Sequence, residues 1–130
     1  MRTVEVGDPI DCVSWRPTPV GLFRFSATTW NPHRIHFDQA YARSEGYDDV
    51  LVQSHFHGCM LAHSILAWAG PGAFLRRFRW ENRGMATPGD VLTVSGTVVD
   101  VQGSLVSCEL EEINQEGQLC APGWATVQLA

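Results

Sequence analysis

The chain has 130 residues, 45% hydrophobic and 18% charged, which is the composition of one globular domain with a single core spanning residues 1–130. Fourteen acidic residues against nine basic ones give a formal charge of −5, which excludes the net basic footprint that nonspecific nucleic-acid binding requires. All nine basic residues are arginine, so Schiff-base and pyridoxal chemistry, which need a lysine, are excluded too.

In chain order, Pro9, Pro17 and Pro19 break the first twenty residues into an extended arm or edge strand. Val20 to Thr29 fits a short helix, and Pro32 then forces Asn31 out of helical geometry. Phe37 to Ser44 fits a second short helix, stopped at Gly46. Ser54 to Gly70 is the one long helix. Phe56, Met60, Leu61, Ile65, Leu66 and Trp68 leave it scarcely a polar face, so it is expected to be enclosed, with Ser54 as N-cap and Gly70-Pro71 as its stop.

Beyond Gly70 the period changes to that of strands. Phe74, Phe78 and Trp80 fall on one face while Arg77 and Arg79 fall on the other, and Arg76 breaks the alternation. Val91 to Val101 follows a Thr87-Pro88-Gly89-Asp90 turn, with Leu92, Val94 and Val98 aligned. Ser104 to Ile113 aligns Val106, Cys108 and Leu110, and a last strand ends at Leu129. The expected architecture is α+β: an antiparallel meander wrapped around one central helix, with an exposed sheet edge suited to pairing with a second subunit.

The chemistry concentrates in Asn31-Pro32-His33-Arg34-Ile35-His36-Phe37-Asp38. His36 is the best general acid/base, because an imidazole takes and returns protons near neutrality. Asn31, five positions earlier across a proline-bent loop, can orient a water or a carbonyl by hydrogen bonding. Spacing equally allows Asn31 to cap the next turn and His36 to bond a backbone carbonyl. Arg34 can hold Asp38 or a phosphate. Unpaired N–H groups near Gln53, Ser54 and His55, at the start of the long helix, form a natural oxyanion site for thioester enolate chemistry; an ordinary N-cap is the plainer alternative.

Four cysteines, Cys12, Cys59, Cys108 and Cys120, lie in apolar contexts without C-x-x-C spacing and are expected to be buried free thiols. The start Met-Arg-Thr-Val-Glu lacks the apolar core of a signal peptide and no run is long enough to span a bilayer, so a cytoplasmic protein with no membrane partner is expected. His33, His36, His55, His57 and His63 show no metal-ligand spacing, so no metal is expected. Arg76, Arg77, Arg79 and Arg83 suit either a solvated strand face or the phosphates of a carrier.

The run Leu22 to Arg43, L-F-R-F-S-A-T-T-W-N-P-H-R-I-H-F-D-Q-A-Y-A-R, resembles MaoC-like hot-dog dehydratases and hydratases. It looks closest to the branch with mesaconyl-CoA hydratase and hydroxyacyl-thioester dehydratase type 2. The likeness continues through Glu45 to Gln53 and at Thr87 to Gly96. It implies a single hot-dog domain that pairs as a homodimer or hot-dog heteromer, needs no cofactor, and reversibly hydrates a 2-enoyl thioester of coenzyme A or acyl carrier protein.

In the family's D-x-N-P-x-H pattern the histidine aligns with His36, and Asn31 stands where the wider family has aspartate. Proton transfer then rests on His36, with Asn31 positioning the water and a backbone N–H at Ser54 holding the enolate oxygen, flanked by Gln53 and His55. Ser54-His55 replaces the Gly-Pro usual in the branch, which allows His55 or His57 a part of its own. Two other readings remain open: a hot-dog thioesterase, disfavoured because the long helix carries no carboxylate, and a non-catalytic subunit of a heteromeric dehydratase.

Overall fold

The computed structural model describes residues 3–130, apart from the side chain of Cys12. The expectation for that thiol therefore lies outside the described residues. Strand β1 (Pro9–Trp15) leads through Thr18 into helix α1 (Pro19–Thr29). Thr18 caps α1 by accepting from the Gly21 N–H at 3.0 Å, and Pro19 sits where its missing N–H costs nothing. The helix ends with Trp30 in the left-handed region at φ 53°, a conformation that costs a non-glycine residue about 1–2 kcal/mol.

A 3-10 turn over Arg34–His36 and a short helix α2 (Gln39–Ser44) follow. The expected start at Phe37 is corrected to Gln39, because the Asp38 carboxylate accepts from the Tyr41 N–H at 3.0 Å and so caps the helix there. Helix α3 (Ser54–Ala69) is the long helix. Its N-cap is Gln53 rather than Ser54, and no side chain caps the turn. Gly70, at φ 87°, stops it as expected.

Strands β2 (Phe74–Trp80), β3 (Leu92–Gln102), β4 (Leu105–Ile113) and β5 (Leu119–Gln128) complete an antiparallel five-stranded sheet ordered β1-β3-β4-β5-β2. The interruption at Arg76 is a register shift between Leu75 and Arg77 against β5. It reverses the parity, so Leu75 rather than Phe74 packs with Phe78 and Trp80 against the core, and Phe74 is exposed. The alternation expected for β3 and β4 holds: Leu92, Val94, Val98, Val106, Cys108 and Leu110 are all buried.

Leu61, Ile65 and Trp68 of α3 pack against side chains from all five strands, and this is the main core. Leu22, Ala42, Val50, Val52, Ala86, Leu92 and Cys120 form a second cluster that seats α1 and α2 beside the start of α3. One expectation fails here. The sheet covers one side of α3, and His55, Cys59, His63, Leu66 and Ala67 remain exposed on the other, so the helix is not enclosed within the chain and Cys59 is not a buried thiol. No helix among the described residues is long and apolar enough to cross a membrane.

Candidate active site

The segment between α2 and α3 builds the site. The Leu51 N–H donates to the Ile35 carbonyl at 2.9 Å, and the Leu51 carbonyl accepts from His36 Nδ1 at 2.7 Å. This two-way link fixes His36 beside the chain three residues ahead of α3. With Nδ1–H donating to a carbonyl, the second ring nitrogen, Nε2, carries the lone pair. His36 is buried, and that burial lowers its pKa below the ordinary 6.5; the Leu51 bond opposes the shift and nearby His33 adds to it. The imidazole is therefore mainly neutral at pH 7, with Nε2 able to accept a proton.

Much of the remaining polar run has local structural work. His33 Nδ1 accepts from the Ile35 N–H at 3.3 Å and caps the 3-10 turn. Arg34 holds Asp38 at 2.8 Å and lies over the Tyr41 ring at 4.4 Å, so the carboxylate alternative describes it. The Tyr41 N–H and Arg34 together hold the Asp38 carboxyl below the usual range. Asn31 accepts from the His33 N–H only at 3.5 Å. No hydrogen bond joins Asn31 to His36.

Asn31 instead faces α3. With His55, Cys59, Phe25, Thr29, Trp30 and Pro32 it lines a cleft of about 360 Å³. The left-handed turn at Trp30 delivers Asn31 to this cleft. At the neighbouring opening turn, the Phe56 and His57 N–H groups donate to the Gln53 carbonyl, while no acceptor among the described residues takes those of Ser54 or His55. The helix dipole adds partial positive charge there. Gln53 itself is fully buried and ties α3 to α1, donating from Nε2 to the Leu22 carbonyl at 2.7 Å and to Ser26 Oγ at 2.9 Å. Its side chain anchors the helix. Of the expected site residues, the cleft brings together Asn31 and His55, while Gln53, Ser54 and His36 are not among the residues that line it.

His57 points the other way. It is buried against the sheet, with Nδ1 on the Glu112 carboxylate, whose other oxygen accepts from Trp15 Nε1 at 2.8 Å. Periodicity carried a signal for Glu112 that the sequence reading missed, since it continues the inward parity of Val106, Cys108 and Leu110. No group of three or more potential metal ligands occurs among the described residues. The β2 arginines Arg77 and Arg79 alternate with core-facing Phe78 and Trp80, so they lie on the sheet's outer face, away from α3. Arg79 stacks on Trp124, Arg76 bonds Gln128, and Arg83 pairs with Glu81.

One helix backed by a five-stranded antiparallel sheet, with a mainly apolar cleft near the helix start, defines a hot-dog domain. Matches to solved structures agree at full length. The chain superposes on one chain of the ChsH1-ChsH2 complex from Mycobacterium tuberculosis with a TM-score of 0.91 at 19% identity, covering 98% of this chain and 100% of that one. It superposes on an (R)-hydratase from A. caviae involved in PHA biosynthesis with a TM-score of 0.87 at 20% identity, covering both chains fully.

Residues 4–86 match the profile of hydroxyacyl-thioester dehydratase type 2, and the chain belongs to that family of MaoC-like hot-dog proteins. Among curated relatives, mesaconyl-C(4)-CoA hydratase of Chloroflexus aurantiacus is 51% identical over 54 residues, 41% of this chain and 18% of the relative. The mitochondrial hydroxyacyl-thioester dehydratase type 2 of Saccharomyces cerevisiae is 29% identical over 87 residues, 66% of this chain and 30% of the relative. The chain thus matches less than a third of the length of these relatives.

Proposed function

We propose that the protein is a lyase that reversibly hydrates a 2-enoyl thioester, carried by coenzyme A or acyl carrier protein, with His36 as general acid/base. The observation that carries this reading is the Leu51 bond to His36 Nδ1, which makes Nδ1 the donor and leaves Nε2 without a hydrogen-bond partner, on a ring tied to the chain three residues before the uncapped start of α3. In dehydration, Nε2 takes the proton alpha to the thioester carbonyl. The developing enolate oxygen is stabilised by the Ser54 N–H, a kind of contact whose loss typically costs about 3 kcal/mol. His36 then returns its proton to the departing beta-hydroxyl, which the Asn31 amide holds. Hydration is the reverse.

Hydrolysis of the thioester fits less well. No carboxylate among the described residues lines the cleft, and Glu112, which contacts α3 through His57, is sealed in the core. An oligomer belongs to the reading as well: β1 and β2 are both sheet edges, and one side of α3 is open, so a second copy or a different hot-dog chain completes the assembly. The test is to mix purified protein with a 2-enoyl thioester, following loss of the conjugated absorbance and release of free thiol in parallel. Loss of absorbance without thiol release is expected. Thiol release at unchanged conjugation would overturn the lyase reading.

A further inference from the structure

Three rings stand face to face behind the cleft. Phe25 of α1 lies 4.5 Å from Phe56 of α3, and Phe56 lies 4.7 Å from Trp15 of β1, each pair within 18° of parallel. Phe25 lines the cleft, while Phe56 and Trp15 stand behind it. The far end of the stack is fastened, because Trp15 Nε1–H donates to the buried Glu112 carboxylate, which His57 holds from the other side. A carboxylate in a core is costly unless its oxygens are bonded. Both of its donors here come from residues that brace the stack: Trp15 is its last ring, and His57 follows Phe56 on α3.

The cleft has a mouth and an end. Trp30, 84% exposed, marks the mouth, and half-buried Phe25 marks the inner wall. A thioester with its carbonyl at the start of α3 and its carrier arm leaving past Trp30 directs the acyl tail at Phe25. A volume of about 360 Å³, at roughly 30 Å³ for each water-sized unit, admits about a dozen non-hydrogen atoms. The thioester, the alpha and beta carbons and the adjoining arm use most of them.

Building on the thioester reading of this cleft, we propose that the Phe25–Phe56–Trp15 stack, pinned by Glu112, is the wall that limits acyl length, so that the substrate is a short-chain acyl thioester. The stack resists displacement because its rings are packed face to face and its last ring is hydrogen-bonded, so a longer tail cannot swing Phe25 aside. Shortening Phe25 removes the wall at its first layer.

The test measures binding without turnover. Saturated S-butanoyl and S-octanoyl pantetheine, the arm common to both carriers, are titrated calorimetrically into wild-type protein, Phe25→Leu and Phe25→Ala. Wild type is expected to favour butanoyl by about tenfold or more. Each added methylene that gains a buried contact is worth roughly fourfold, so the octanoyl-to-butanoyl affinity ratio rises through Leu to Ala by at least about tenfold. The graded pair keeps the test intact if the alanine variant folds poorly, since Phe25→Leu alone must move the ratio upward. Wild type binding octanoyl as tightly as butanoyl, or a ratio unchanged in the variants, overturns the wall. The predicted order of affinities without any hydration or dehydration leaves the wall standing and removes the lyase reading.

Discussion

Replacing Glu112 by alanine removes a fully buried, doubly hydrogen-bonded carboxylate. Its carboxylate is 0% exposed and accepts from Trp15 Nε1 and His57 Nδ1. Truncation orphans both partners in the core, at roughly 1–3 kcal/mol each, and deleting one member of a buried charged contact costs about 3–5 kcal/mol by direct comparison. These figures describe the same loss and do not add, so the expected destabilisation is about 3–5 kcal/mol. Against a typical total of about 5–15 kcal/mol, the melting temperature should drop on the order of 10–20 °C. Glu112→Gln keeps the shape: its carbonyl accepts from Trp15, and its amide donates to His57 Nδ1 once that ring carries its proton on Nε2. Because that proton would sit on a buried nitrogen with no acceptor, the glutamine variant should lose roughly 1–3 kcal/mol, still less than alanine. Thermal unfolding followed by circular dichroism at one fixed protein concentration reads both. Alanine and glutamine variants that melt together, or an alanine variant within about 1 kcal/mol of wild type, would refute the buried network.

Two further outcomes follow from the packing and the titration of single residues. A Cβ on Gly58 would lie 2.7 Å from the Trp80 ring, so Gly58→Ala should destabilise by about 1–3 kcal/mol from overpacking, despite alanine's better helix propensity; the urea midpoint checks this. Burial lowers the pKa of His36 in the folded chain below its ordinary 6.5, so the unfolded chain binds more protons in the window beneath that value, and stability falls as pH falls through it. Melting temperatures at neutral pH and at about pH 5 should show a smaller acid-side drop in His36→Gln than in wild type. An equal drop would place the acid sensitivity elsewhere.

The strands were legible where alternation was clean. Val94, Val98, Val106 and Cys108 declared their face, and even the flaw at Arg76 marked a real register shift. The same rule could have found Glu112, but a carboxylate on an inward position passes for surface until its donors, distant in sequence, are brought beside it. Helix α3 was recognisable by its length and stop, yet apolar content alone does not say what covers a helix. His55, Cys59 and Leu66 lie open within the chain. In the polar run, composition promised five chemical groups. Asn, Asp and His also cap turns, and the structure gives His33 and Asp38 to that task while His36 Nε2 and Asn31 Nδ2 are left without a hydrogen-bond partner. The hot-dog fold itself was legible through family resemblance, which the full-length superpositions bear out.

In the proposed reaction His36 Nε2 is the group that moves the proton. Steady-state turnover of a 2-enoyl thioester by His36→Ala, with folding verified by its melting curve, tests this most directly. The expected loss is about 10²–10⁴-fold in kcat with the variant still folded. A folded His36→Ala protein that keeps near-full hydratase activity would contradict it.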